Sequence, residues 1–217
     1  MRRERATPWR SRSSGARASS GVTTCGRYAA PAQAMPEYKG WHSRGYLPHF
    51  DSPETIQFVT FRLADSLPRQ VVEALRMKGE AVHLLDRELD AGLGKCWLRS
   101  PAIAALVEQA LLHFDGERYR LLAWCLMPNH VHVVIEIAEG ASLGDIVGSW
   151  KSFTARRANR MIGRSGPFWH VDYFDRYMRD EAHLQRTIDY VENNPVKAGL
   201  AREPADWSWS SAHHRAG

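Results

Sequence analysis

The chain has 217 residues, with 29 Lys and Arg against 24 Asp and Glu, a formal charge of +5 and 44% hydrophobic residues. That size suits one domain with a tail, able to bury a core without disulfides. Cys25, Cys96 and Cys125 are odd in number, widely spaced and free of any CxxC pair, so neither a disulfide framework nor a cysteine zinc site is indicated and a reducing cytoplasm is the simplest home. No run approaches the roughly 20 apolar residues of a membrane helix, and the N-terminus lacks a signal-peptide core, so no membrane partner is expected. The basic balance favours an anionic partner, of which nucleic acid is the commonest; a cytoplasmic, nucleoid-associated protein fits both statements.

Residues 1–34 are rich in Arg, Ser, Ala and Gly and hold Glu4 as their one acid. They read as a disordered basic tail. The composition also resembles an organellar transit peptide, and Met35, followed by PEYKGWHSRGYLPHF, offers an alternative natural start, leaving 35–217 as the domain. Thr55 to Leu63 is β-branched and aromatic, a first strand. Pro68 opens a helix to about Ala91, with Val71, Val72, Leu75, Val82, Leu85 and Leu89 on its apolar side and Gly92 ending it. Ser100 and Pro101 start a second helix, running to about Phe114.

Tyr119 to Leu126 reads as a second strand, and Pro128-Asn129 turns the chain into a third over about 129–137, forming an antiparallel hairpin. Ser142 starts a helix ending near Gly163. Phe168 to Met178 reads as a fourth strand, and Glu181 to Asn194 as a last helix. The order β, helices, β, β, α, β, α predicts an α+β fold: a ferredoxin-like antiparallel sheet with packed helices and an added C-terminal helix.

Within the third strand, MPNHVHVVIE, His130 and His132 flank one valine. Strand side chains alternate, so both imidazoles project to one face while Val131, Val133 and Ile135 point to the other. Isolated histidines are most often structural, whereas a same-face pair suggests a metal, with a third ligand still required. The last helix offers one. Leu184, Ile188 and Val191 define its buried stripe, and His183, Thr187, Tyr190 and Asn194 form a second stripe beside it. Tyr190 and Asn194 are neighbours one turn apart, and Pro195 is expected to end the helix at Asn194.

By itself Tyr190 reads as a margin-of-core aromatic and Asn194 as a helix-ending amide. Beside His130 and His132 they read as a nucleophile and a neutral oxygen ligand. A phenol with a pKa near 10 needs help to attack at neutral pH. A divalent cation on two imidazoles and an amide would polarise a phosphate, and Mg²⁺ or Mn²⁺ suits phosphate oxygens. Tyr173 and Tyr177 are rival nucleophiles, and Asp172, Asp175, Asp180 and Glu181 are alternative metal carboxylates. Lys151, Arg156, Arg157 and Arg160, with Trp150 and Phe153, lie along one helix, and Arg164, Trp169, Arg176 and Arg179 follow. Cations that hold phosphates and aromatics that stack bases are the equipment of a single-strand or hairpin binder. A solvated basic face over an aromatic core is the competing reading, and Trp150 and Phe153 suit that core.

The segments MPNHVHVVIE, WKSFTARRANR, FWHVDYFDRYMRDEAH, DYVENNPVKAGL and WSWSSA, in this order, resemble the REP-associated tyrosine transposases. These are a branch of the single-tyrosine transposases in the His-hydrophobic-His endonuclease superfamily. The resemblance spans about residues 36–212. It implies a metal-dependent endonuclease and strand transferase acting on single-stranded DNA beside short palindromic hairpins, working as a monomer or homodimer. It places metal binding on His130, His132 and Asn194 and the nucleophile on Tyr190. It further implies a 5′-phosphotyrosine intermediate with a free 3′-hydroxyl, in keeping with the absence of a GxxxxGK phosphate loop.

Three other readings compete. A histidine-triad hydrolase expects histidine where Val134 stands, and a two-histidine phosphodiesterase needs a second HxT or HxS element, which the chain lacks. A domesticated, catalytically silent hairpin-DNA-binding protein is the non-enzyme alternative, against which the intact Tyr190, His130 and His132 weigh.

Overall fold

The computed structural model describes residues 40–43, 48–51, 55–68, 71 and 88–217. The chain divides into two units, Met1–Ala34 and Met35–Gly217. The basic tail lies outside the described residues, as does most of the helix expected from Pro68 to Ala91, of which residues 71 and 88–90 are described as helical.

β3 (Ile56–Arg62), β4 (Tyr119–Leu126), β5 (His130–Ile137) and β6 (Phe174–Tyr177) build an antiparallel sheet in the order β4-β5-β3-β6. Counted along the chain this is 2-3-1-4, the ferredoxin-like arrangement of a βαββαβ unit. A separate hairpin, β1 (Gly40–Ser43) with β2 (Pro48–Asp51), precedes it. The helices are α1 (Pro101–Leu112), α2 (Leu143–Met161), α3 (Glu181–Lys197) and α4 (Ser211–Ala216). None of the described helices is long and apolar enough to cross a membrane.

The sheet separates two cores. Val59, Phe61, Val131, Val133 and Ile135 pack with Ile103, Val107, Leu111, Ile146, Val147 and Trp150 of α1 and α2. On the other face Phe58, Ala123, Cys125 and Val134 pack with Leu184 and Val191 of α3. Strand alternation therefore puts His130 and His132 on the α3 face. Phe58, Thr60 and Arg62 lie directly across from Val134, His132 and His130 on that same side.

The long helices start where the sequence places their caps. Ser142 accepts a bond from the Asp145 amide at the head of α2, and Asp180 from the His183 amide at the head of α3. α3 does not stop at Asn194. Pro195 lies within it, and the turn closes through Ala198 N–H to Asn194 O at 3.0 Å and Leu200 N–H to Pro195 O at 2.8 Å. Proline costs one hydrogen bond there, in the final turn, and Gly199, at φ 68°, provides the actual stop.

The fourth strand is also shorter than Phe168 to Met178. Its first half makes one isolated bridge, Leu63 with Trp169. The Asp172 amide then donates to His170 Nδ1 at 3.3 Å, and the Tyr173 amide to Asp172 Oδ1 at 3.0 Å. These local bonds compete with the ladder and delay pairing until Phe174.

The C-terminal WSWSSA segment covers the edge of β4. Trp209 O accepts from the Leu126 amide at 2.9 Å, Ser211 Oγ from the Trp124 amide at 3.1 Å, and Trp207 Nε1 donates to Leu126 O at 2.9 Å. Ser211 Oγ also donates to Glu192 of α3 at 2.5 Å, so the segment that covers the sheet edge also braces the helix carrying Tyr190.

On the α1/α2 side, His49 of β2 is 1% exposed and lies between two buried carboxylates. Nε2 pairs with Asp172 Oδ1 at 3.1 Å and Nδ1 with Asp175 Oδ1, whose other oxygen accepts from the Phe50 amide at 3.0 Å. Burial alone would lower the His49 pKa, but the hydrogen bonds and charges of Asp172 and Asp175 outweigh it and raise the value to about 9. Asp172 shifts the other way: burial opposes ionisation, and the bonds from His49 and the Tyr173 amide overcome it.

Because the folded pKa of His49 exceeds its ordinary 6.5, its stabilisation is complete below that value and is lost as pH rises through about 9. Asp172 contributes above its ordinary carboxylate range and ceases to as pH falls through its lowered value. Replacing His49 with Ala strands two buried carboxylates and should cost on the order of 3–5 kcal/mol. Urea unfolding at pH 7 and pH 10 checks this: the loss should be large at pH 7 and small at pH 10.

Candidate active site

His130 and His132 are both fully buried, with their Nε2 atoms 3.0 Å apart. Their outer nitrogens are held from behind. His130 Nδ1 lies 2.7 Å from Asn129 Oδ1, and His132 Nδ1 lies 2.8 Å from Thr60 Oγ1. The Asn129 amide fixes the tautomer of the first ring. Its Nδ2 donates to the carbonyls of Leu89 and Leu93 at 3.1 and 3.0 Å, so Oδ1 must be the atom facing His130. An acceptor there requires Nδ1 to carry the proton, which leaves a lone pair on Nε2.

His132 is bound to a hydroxyl that can donate or accept. It can therefore donate from Nε2 to His130, or donate from Nδ1 to Thr60 and present a second Nε2 lone pair. Burial first, and the neighbouring His132 second, hold the His130 pKa well below its usual 6.5, so this ring stays neutral and able to ligate.

Helix α3 closes the site. The Tyr190 ring lies 5.7 Å from that of His132 and edge-on to Phe58 at 6.0 Å, while Phe58 stacks on His132 at 5.6 Å. The phenol oxygen is buried. The far side of the tyrosine borders a surface hollow lined by Arg186, Asp189, Asn193, Val196 and Lys197, and the Lys197 ammonium sits 4.6 Å over its ring. One turn on, Asn194 is fully buried, and neither atom of its amide has a hydrogen-bond partner. An orphaned amide inside a core is costly, about 1–3 kcal/mol per group, and calls for a ligand.

Among the described residues no three His, Cys, Asp or Glu side chains can hold a metal ion by themselves. The donors at this site are two neutral imidazoles and an amide. Neighbouring ligands at bonds of about 2.1 Å on an octahedral ion are about 3.0 Å apart, which matches the spacing of the two Nε2 atoms. The rear hydrogen bonds to Asn129 and Thr60 are those that orient metal-bound imidazoles. The residues present thus fit a divalent ion.

Tyr190 packs on His132 within the same chain. Tyr173 packs instead on His49 at 4.7 Å and beneath Lys151 at 5.9 Å, and Tyr177 on Phe50 at 5.0 Å. Asp172 and Asp175 are engaged by His49, Asp180 caps α3, and Glu181 sits in its exposed first turn.

The basic residues divide between the two faces. Arg156 and Arg157 line a groove with Gln109, His113 and Phe114 on the α1/α2 side, where Arg157 covers Phe153 at 4.7 Å. Arg176, opposite Phe58 in the ladder, is exposed on the α3 side, and Arg160 and Arg179 are also exposed. Lys151 donates to Val171 O at 2.8 Å and Arg164 to Pro167 O at 3.2 Å. Trp169 is a core residue. It is 5% exposed, donates to Thr154 Oγ1 at 2.8 Å and packs against Phe61 and Phe168, so its ring is not offered to a base. Asn129, Thr60 and Lys197 are the contributors that periodicity did not single out. Asn129 is visible in the sequence only as a turn residue before the first histidine.

Residues 105–194, a span from α1 to Asn194 that includes both histidines and Tyr190, match the family described as transposase, IS200 like. The REP-associated tyrosine transposase of Escherichia coli K12 is 23% identical over 109 residues, 50% of this chain and 64% of the relative. A Haemophilus influenzae protein assigned to the same group is 27% identical over 105 residues, 44% of this chain and 60% of the relative. The chain thus spans about three-fifths of the length of these curated relatives. A solved REP-associated tyrosine transposase bound to a REP hairpin shares the fold, with a TM-score of 0.50 at 16% identity over 76% of this chain and 81% of that one. On these matches the chain is similar to the IS200-like transposases and, among curated proteins, to REP-associated tyrosine transposases, and it shares their fold.

Proposed function

We propose that the protein is a metal-dependent single-stranded DNA endonuclease and strand transferase that cleaves beside palindromic hairpins through a 5′-phosphotyrosine. The observation that carries this reading is the meeting of two imidazole Nε2 atoms at 3.0 Å beneath the helix turn that bears Tyr190. Tyr190 is the nucleophile, and His130, His132 and the Asn194 amide are the ligands. Those ligands would hold a divalent ion, Mg²⁺ or Mn²⁺, which would supply Lewis-acid polarisation of the scissile phosphate.

Tyr190 Oη forms the new bond to phosphorus as the bond to the 3′ oxygen breaks. The phenol loses its proton and the departing 3′-hydroxyl gains one, so the exchange is balanced without a nucleotide cofactor. The reverse attack, by a 3′-hydroxyl on the phosphotyrosine, rejoins strands. Lys197 and Arg186 border the hollow beside Tyr190 and suit the approaching backbone phosphates. Arg176 and Arg179 extend that positive surface, and Lys151, Arg156, Arg157, Arg160 and Arg164 suit phosphates further along the nucleic acid. Hairpin DNA as the substrate is supported by the structural relative that binds one. Because both halves of the site lie in one chain, a monomer is sufficient, and only a site shared between two chains would require exchange of α3.

Hairpin-bearing single-stranded DNA from the repeats flanking the gene, incubated with the protein and Mn²⁺ or Mg²⁺, should give a DNA-shifted band on denaturing electrophoresis. The band should disappear with EDTA and in Tyr190→Phe. An adduct that survives in Tyr190→Phe would move the nucleophile to Tyr173 or Tyr177, and hairpin binding without any adduct would indicate the silent DNA-binding protein. Asn129→Ala should lower Mn²⁺ affinity by about 10–100-fold, as loss of a group orienting a ligating histidine does; isothermal titration measures it.

A further inference from the structure

We propose that Glu192 is a positioning residue for the cleavage reaction: held by Ser211 and Arg215 of the C-terminal segment, it fixes the roll of α3 about its own axis and thereby the aim of Tyr190. The inference rests on Tyr190 being the nucleophile, as proposed above, and adds to that reading a residue on the opposite flank of the helix.

The apolar seat of α3 on the sheet is narrow. Leu184 and Val191 are buried there, with Ile188 half-buried between them. Such contacts are non-directional, so a stripe of three aliphatic side chains resists lifting of the helix better than rolling. At about 100° per residue, Tyr190 and Glu192 lie about 200° apart, on opposite flanks of that stripe, and at about 1.5 Å rise per residue they stand at nearly the same height. A bond to Glu192 therefore opposes any roll that would displace the tyrosine.

That bond is well anchored. Glu192 Oε1 accepts from Ser211 Oγ at 2.5 Å and pairs with the Arg215 guanidinium. The carboxylate is shielded from solvent, its side chain being 13% exposed. Ser211 is itself buried and accepts from the Trp124 amide of β4 at 3.1 Å. From the same short helix His214 reaches Glu108 of α1, Nε2 to Oε1 at 3.0 Å, and its ring lies 5.2 Å from that of Trp124. α4 is thus fixed to β4 and α1 as well as to α3.

The lever is long enough for this to matter. A tyrosine Oη stands roughly 9 Å from its helix axis, so a roll of about 10° displaces it by about 1.5 Å. Displacing a reacting atom by about 1 Å costs on the order of 100-fold in rate. The Arg215 side chain, by contrast, is 53% exposed, and an ion pair so placed contributes little to stability. Loss of that pair therefore separates the two roles: the rate falls while the fold is retained.

The test is single-turnover formation of the covalent product by the full chain, at saturating Mn²⁺ and saturating hairpin-bearing single-stranded DNA from the flanking repeats. The affinity for that DNA and the melting temperature are measured alongside. Arg215→Ala should lower the rate about 10-fold and Glu192→Ala about 100-fold, with DNA affinity unchanged. Arg215→Lys, which keeps the charge, should recover most of the rate. The melting temperature of Arg215→Ala should fall by no more than about 4 °C, so this variant gives the answer even where Glu192→Ala does not fold. An unchanged rate in Arg215→Ala, or a loss that appears only as weaker DNA binding, overturns the assignment. A rate that falls only as the folded fraction falls overturns it as well, by making the brace merely structural. No adduct from wild type, or one that persists in Tyr190→Phe, overturns the nucleophile reading, and this inference with it.

Discussion

The side-chain amide of Asn129 is the constraint on which the site depends. Its two N–H groups are committed to the carbonyls of Leu89 and Leu93, which can only accept, so its oxygen has one remaining direction and one partner, His130 Nδ1. A flipped amide would leave those carbonyls facing an oxygen and buried His130 facing a donor, at about 1–3 kcal/mol for each group. The main chain at this turn is equally engaged: Asn129 O accepts from the Leu63 amide and Pro128 O from the Leu98 amide. The end of β3, the helix end before Gly92, the segment leading into α1 and the histidine strand therefore meet at two residues. The lone pair on His130 is a consequence of that junction.

The sheet divides the labour. The valines of HVHVVI bury themselves against α1 and α2, and this packing holds the strand in register, since a slip of one residue would turn the histidines into the large core and the valines toward α3. The opposite face is less apolar and, among the described residues, is covered by one long helix, α3, so polar groups can collect there. Phe58 is the hinge of that arrangement, touching His132, Phe174 and Tyr190 at once. Tyr190 and Asn194 arrive from some sixty positions along the chain because Leu184 and Val191 seat α3 on the sheet, while Glu192 ties it to the C-terminal segment.

Features written in local periodicity were legible in the sequence. Alternation put His130 and His132 on one face, helical spacing paired Tyr190 with Asn194, and Ser142 marked a helix start. What was not legible depends on partners far away in the chain. His49 and its two aspartates are separated by more than a hundred residues, and neither member signals the other. Trp169 carries the same letters as a base-stacking residue would, and only its burial against Phe61 assigns it to the core. Pro195 was read through its local rule as a stop, but proline in a last turn removes one bond and the helix survives until Gly199. Asn129 was readable as a turn former, whereas its second task needs the helix end at Leu89 and Leu93 in place. Sequence reading put His130 with His132 and Tyr190 with Asn194; the fold brought the two pairs together and supplied the groups that orient them.

The central claim is that two strand histidines and one helix of the same chain form a single metal and nucleophile site. Anomalous diffraction from crystals soaked in Mn²⁺ tests it most directly. The account predicts one strong peak within bonding distance of both His130 Nε2 and His132 Nε2, on the side of the sheet that carries Tyr190 and Asn194 of the same chain. A map with no peak between the two Nε2 atoms, manganese being absent or bound only at surface groups such as His213 and His214, would contradict it.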